Sequence, residues 1–378
     1  MIDRNKIMEL LNIKSENPSV LSLYLDLTGG PRRFRPALRN MIREEKDRLI
    51  DEKILSEELI PIVEDDFYRI QQYIDNLNRQ RGLRKGIAIF SFNKGGLWEV
   101  FNLPGPVMNS LYVCYKPQLR PIIQMMELYR RTVIVILSKD RARIFKYFNG
   151  DLAEFSQIST DVPERVKKAG FYGREERGIE RHIKDHVRGH LKAVSEILDD
   201  INSKSPFDWL IIGSNTELAE ELKNVIPSEM SRKIRCVIPI ELDIHKRSLY
   251  KKVMEVEKEL KEKDDRELVN ELFNSLGPSG LGVSGLNETL YCLYQGDAQI
   301  LLVEEGFSKE GGICLSCGFL SVEVDKCPIC SIRQLYIKDV ISEAMALAVK
   351  KNCRVAMIQK DLGLEKLGRI GAILRYKR

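Results

Sequence analysis

Cys314-Leu-Ser-Cys317 and Cys327-Pro-Ile-Cys330 form two Cys-x-x-Cys knuckles separated by nine residues. Two such pairs can set four thiolates around one Zn²⁺, which favours sulfur ligands in a tetrahedron. Gly318 and Pro328 lie at the knuckles, where the chain must bend. All four positions are Cys, and no open ligand position is evident. The pattern therefore predicts a structural Zn²⁺ as cofactor, not a hydrolytic centre. The plainer reading is four free thiols.

A second constellation is basic. Residues 165–192 concentrate Arg165, Lys167, Lys168, Arg174, Arg177, Arg181 and Arg188 around a Gly-rich stretch ending near Gly173. Such a segment can lie along phosphates. Phe171 and Tyr172 could stack on an exposed base or anchor the segment to its own domain. His182, His186 and His190 recur at i, i+4 and i+8, which puts them on one helix face. That face could bind a metal, touch RNA or simply be solvated. Arg181, Arg188 and Lys192 on the same helix would repel a metal.

Other chemistry fails on context. The chain has no Gly-x-x-x-x-Gly-Lys-Ser/Thr phosphate loop. Gly280-x-Gly-x-x-Gly285 resembles a dinucleotide fingerprint but follows a charged helix instead of a strand. No Ser/His/Asp set can be assembled.

The elements that must position these residues follow from pattern. At 378 residues the chain can hold two or three domains. No apolar run reaches the length of a membrane span, and the N-terminus is charged and lacks a signal-peptide core. A cytoplasmic protein is the expectation. Net charge is only +5, so total charge does not announce a nucleic-acid binder. Cys114, Cys236, Cys292 and Cys353 sit in apolar contexts and read as buried free thiols.

Residues 1–128 read as an α/β unit, with strands at 20–27 and 86–92, a hairpin return at 98–101 and a helical region over 34–77. Residues 129–243 read as a second unit. Its strands are 132–137, 143–148, 209–213 and 234–238, with a turn at Asn149-Gly150. The basic segment becomes helical by about Ile179, and Ser214 opens a helix with a capping-box pattern. A charged helix over 246–276, with pairs such as Glu257 and Lys261, leads into a third unit over 244–378. There the pattern predicts helices at 286–294 and 339–350, strands at 298–303, 354–358 and 370–374, and a Cys-rich insert at about 312–332.

The third unit resembles the C-terminal domain of archaeal and eukaryotic class-one peptide chain release factors and of Pelota. Gly280-Leu-Gly-Val-Ser-Gly285 precedes a helix, and Gly296-Asp-Ala-Gln-Ile-Leu-Leu-Val303 is similar to the family's Gly-Ala-Val-x-x-Leu-Leu strand. The zinc ribbon follows where archaeal release factors insert one. Leu367-Gly-Arg-Ile-Gly-Ala-Ile-Leu-Arg-Tyr376 is close to the family's terminal pattern. Trp209-Leu-Ile-Ile-Gly-Ser214 resembles the central-domain strand that ends in Gly-Ser. Ser22-Leu-Tyr-Leu-Asp26 followed by Arg32-Arg33-Phe34-Arg35 resembles the divergent bacterial and archaeal branch, which includes the Balon-like hibernation factors.

The resemblance implies a three-domain α/β protein that takes the place of tRNA in the ribosomal A site. Its implied partners are rRNA and a translational GTPase of the elongation-factor type, with no membrane and no DNA. Two departures shape the functional expectation. Peptide release in this family uses Gly-Gly-Gln, but here the equivalent stretch is Gly170-Phe-Tyr-Gly173-Arg174-Glu175-Glu176-Arg177-Gly178, with no Gln between Gln157 and Gln295. Asn12-Ile-Lys-Ser15 matches a stop-codon-reading tetrapeptide but precedes the first strand instead of joining two helices after it. The resulting expectation is a non-catalytic factor in ribosome hibernation or rescue, with no catalytic residue assigned. The alternative is a peptidyl-tRNA hydrolase with a non-standard loop, in which Arg174 or a backbone amide replaces the Gln. A binding module away from the ribosome is a third reading.

Overall fold

The computed structural model describes residues 4–51, 59–77, 85–103, 105–148, 150–160, 173–277 and 280–377. The chain begins with α1 (Arg4–Leu11), β1 (Val20–Asp26), α2 (Pro31–Asp51) and α3 (Ile60–Asp75). Next come β2 (Gly86–Phe92), β3 (Leu97–Leu103), β4 (Ser110–Cys114) and α4 (Arg120–Leu128). The four strands form an antiparallel sheet in the order β3-β2-β1-β4. Alternation along β1 sends Leu21, Leu23 and Leu25 to one face, where they meet Phe34, Leu38 and Ile42 of α2 and Phe67, Ile70 and Ile74 of α3. The helical region expected over 34–77 thus contains two helices packed on one sheet face.

The middle of the chain carries β5 (Thr132–Leu137), β6 (Arg141–Phe148), β7 (Asp151–Ser159), α5 (Gly173–Lys204) and β8 (Trp209–Gly213). These are followed by α6 (Thr216–Lys223), α7 (Ser228–Ser231) and β9 (Ile234–Ile238). The sheet order is β7-β6-β5-β8-β9. Strands β5, β8 and β9 run parallel and β6 and β7 run antiparallel. Gly150, at φ 77, supplies the left-handed position in the β6–β7 turn. Helices cover both faces, which explains why β5 and β8 are wholly buried and read as continuous apolar runs.

α8 (Lys246–Ser275) is followed by β10 (Gly282–Ser284), α9 (Leu286–Gln295) and β11 (Ala298–Glu304). Then come β12 (Gly311–Ile313), β13 (Leu320–Ser321), β14 (Leu335–Ile337), α10 (Val340–Lys350), β15 (Arg354–Ile358) and β16 (Ile370–Leu374). One sheet runs β10-β16-β11-β15, and a three-stranded ribbon runs β13-β12-β14. Near its start α8 buries Leu249 and Val253 in one core, and near its end it buries Val269 and Leu272 in another. Contacts divide the chain into two compact units: Met1–Leu128 with Glu262–Arg378, and Tyr129–Lys261.

Two local expectations are corrected. The N-cap of α6 is Asn215, whose Oδ1 accepts from the Leu218 N–H at 2.9 Å, while Ser214 is buried at the strand end. Asn takes this role because its side-chain oxygen reaches back to the first free amides. Glu257, expected on a solvated helix face, is half-buried against the sheet and accepts from Thr132 Oγ1 at 2.8 Å.

Candidate functional site

The ribbon brings the two knuckles together. Cys314 follows directly on β12, and its N–H donates to the Phe319 carbonyl at 2.9 Å while Gly318 N–H donates to the Cys314 carbonyl at 2.8 Å. The second knuckle repeats the pattern: Cys327 N–H donates to Ile332 and Ser331 N–H to Cys327, both at 2.8 Å. The fifth position of each knuckle is left-handed, Gly318 at φ 80 and Ser331 at φ 61. The bend thus falls on Gly318 and Ser331, whereas Pro328 sits inside the second knuckle.

All four sulfurs lie within 4.8 Å of one another. The Cys314–Cys330 distance is 3.4 Å, Cys317–Cys327 is 3.5 Å and Cys317–Cys330 is 3.7 Å. Sulfurs held about 2.3 Å from one tetrahedral metal ion would stand about 3.8 Å apart. The donor set therefore fits a metal with soft-ligand preference. Cys314 and Cys327 are buried, with Phe319 and Tyr294 packed against them. The Tyr294 and Phe319 rings meet edge-to-face at 5.3 Å. The Cys317 amide pointing at the Cys314 sulfur lowers that thiol's pKa to about 6, while burial pushes Cys317 up to about 12, so without a metal the cluster favours one thiolate among the neighbouring thiols.

The remaining cysteines behave differently. Burial pushes the Cys114 thiol up to about 11 and the Cys353 thiol to about 12, and it also raises Cys236. Cys292 is fully buried. These are unreactive thiols, although Cys114 and Cys236 are only half-buried.

The basic segment divides between what is described and what is not. Arg165, Lys167, Lys168, Phe171 and Tyr172 lie outside the described residues. α5 begins at Gly173, so the stretch from Gly173 to Gly178, expected in a loop, forms its first turns together with Arg174 and Arg177. Further along, Arg181, His182, Lys184, Arg188 and Lys192 are exposed, while Val187, Leu191, Val194 and Leu198 enter the core. Residues 165–192 carry nine Lys and Arg against four Asp and Glu, an excess equal to the net charge of the whole chain.

The three histidines do not share one environment. His182 and His186 lie side by side with Nε2 atoms 3.3 Å apart and rings at 4.5 Å. His190 is only 1% exposed, and its Nδ1 shares a 2.9 Å hydrogen bond with Thr160 Oγ1. At 3.6 residues per turn each step of four advances about 40°, so two steps carry His190 from the surface to the core face. Burial lowers its pKa, which keeps the ring neutral. His190 is therefore removed from the residues expected to contact RNA. Sequence reasoning missed its partner Thr160, because nothing local in the sequence marks the strand end that packs over α5.

Fold and site thus define a mixed α/β chain with four cysteines clustered at metal-binding distance and a basic surface helix. Residues 117–258 match the family model described as bacterial archaeo-eukaryotic release factor family 10. The chain is similar to release factors and Pelota, as its motifs imply. One similar solved structure is S. cerevisiae Dom34, described as a translation termination-like factor involved in RNA quality control pathways and interacting with Hbs1. Identity is 14%, with 77% of this chain and 80% of that one covered and a TM-score of 0.40. An archaeal translation termination factor, aRF1, is 15% identical over 99% of each chain with a TM-score of 0.26. An archaeal Pelota in a ribosome-bound model with ABCE1 is 12% identical, covering 77% and 78%, at a TM-score of 0.39. No curated protein matches the chain. Among the described residues, no helix is long and apolar enough to cross a membrane.

Proposed function

We propose that this chain is a cytoplasmic, ribosome-binding translation factor that occupies the A site of idle or stalled ribosomes without Gly-Gly-Gln catalysis. The observation that carries the reading is the composition of the family-matched segment: a helix with exposed cations and no Gln from residue 158 to the end of the match at residue 258. Cations held on a rigid helix suit phosphate contacts, which supply most of the affinity for RNA. The missing amide removes the group that would position water and an oxyanion donor at the ester. Zn²⁺ in the four-Cys cluster holds the ribbon in shape and takes no part in chemistry. A translational GTPase is the proposed protein partner, and the three sequence domains are proposed to act as arms of a tRNA-like body.

A peptide-release assay on programmed ribosomes tests the reading. The expected outcome is A-site occupancy with no hydrolysis above background at stop or sense codons. Loss of one positioned donor typically costs a factor of about 10² to 10³ in rate. Codon-independent release abolished by Arg174→Ala would replace this reading with the hydrolase alternative.

A further inference from the structure

A cavity of about 300 Å³ opens beside the first Cys knuckle, and the functional reading above makes no use of it. Its walls come from stretches far apart in sequence: the end of α1 and residues up to 14, residues 116–119, the first knuckle with Tyr294, and α10 from Ser342 through its C-terminal end. All belong to one compact unit. Two ion pairs join the stretch from Lys116 to Arg120 to α10 and its N-cap: Lys116 with Glu343, and Arg120 with Asp339. Arg120 Nη2 also donates to the Phe307 carbonyl at 2.6 Å.

The lining has two characters. Leu119, Leu320, Leu347 and the Tyr294 ring provide apolar wall. Lys14, Lys116, Lys350 and Lys351 also line it. Glu343 neutralises Lys116. Lys14, Lys350 and Lys351 have no carboxylate partner among the described residues. Lys350 and Lys351 stand at the negative end of α10, and Lys14 lies just beyond the C-terminus of α1. All three are exposed, and an anion held among them would gain from their combined field. Gln118 and Ser316 add uncharged polar side chains.

We infer that this cavity binds a nucleotide. Its phosphates meet Lys14, Lys350 and Lys351, and its base lies against the apolar wall formed by Leu119, Leu347 and Tyr294. The volume is at the small end of ligand sites and suits a single nucleotide. A bare phosphate would leave the apolar wall unused. The bound ligand would join the N-terminal residues to the knuckle and to α10, and would stabilise that unit by mass action.

The test is calorimetric titration of the full chain with ATP, AMP, pyrophosphate and adenosine. ATP should bind, with adenosine and pyrophosphate each at least tenfold weaker. The double variant Lys14→Gln/Lys351→Gln should weaken ATP binding at least tenfold. Lys251→Gln, which removes an exposed charge on α8 that is not part of this lining, should leave it unchanged. No ATP binding at millimolar concentration would overturn the inference. So would unchanged affinity in the double variant, or pyrophosphate binding as tightly as ATP.

Discussion

Ser331 holds φ 61 at the position where the first knuckle has Gly318 at φ 80. A left-handed conformation costs a residue with a Cβ about 1 kcal/mol or more, and glycine almost nothing. In the proposed Zn²⁺ ribbon, metal binding is coupled to folding, so relief of that cost should appear as metal affinity. Ser331→Gly is expected to tighten Zn²⁺ binding by about fivefold, measured by chelator competition. The opposite change, Cys327→Ser, removes one of four converging sulfurs. Metal analysis should fall from one Zn²⁺ per chain toward none, while the central sheet keeps its thermal transition because the ribbon cysteines contribute nothing to that core. The Cys spacing alone disclosed this site, since two knuckles constrain sulfur positions locally. It did not disclose Ser331, because no local rule marks a serine as left-handed. His190 was misplaced for a related reason: a helical repeat of four gives a face only over a turn or two.

Among the elements, the buried parallel strands and the long helices were legible because they carry strong periodicity or continuous apolar runs. The short strands β4, β10 and β12 to β14 were not, since two to five residues carry no period and depend on partners distant in sequence. β10, with Gly282 and Ser284, is a strand only because β16 pairs with it. That pairing also explains Gly371, where an added Cβ would stand 2.6 Å from Leu272 Cδ2 and 2.8 Å from the Val283 carbonyl. The carbonyl belongs to the sheet and cannot move away. Gly371→Ala should cost about 1–3 kcal/mol, read as a lower denaturant midpoint. On α8, burial raises the pKa of Glu257 despite its hydrogen bonds from Thr132 and Tyr147. The folded protein therefore keeps that proton to higher pH than the unfolded chain. Its favourable contribution is complete below the unfolded value and is lost as pH rises through the folded one. Glu257→Gln should flatten this dependence. Urea midpoints should match wild type at pH 4 and equal or exceed it at pH 8.

At the scale of the molecule, the proposed ribosome binding rests on the basic helix within residues 117–258. A chain whose net positive charge equals the excess of one segment concentrates its electrostatic attraction there. Phosphate contacts release counterions, so each lost contact flattens the salt dependence of binding by nearly one unit. Ribosome cosedimentation across graded salt, comparing wild type with Arg174, Arg177, Arg181 and Arg188 changed together to Ala, is the most direct measurement. Wild type should bind in a strongly salt-dependent way, and the variant should bind more weakly with a slope shallower by up to about four units. Equal binding by both proteins at every salt concentration, or no ribosome binding by wild type at low salt, would contradict the account.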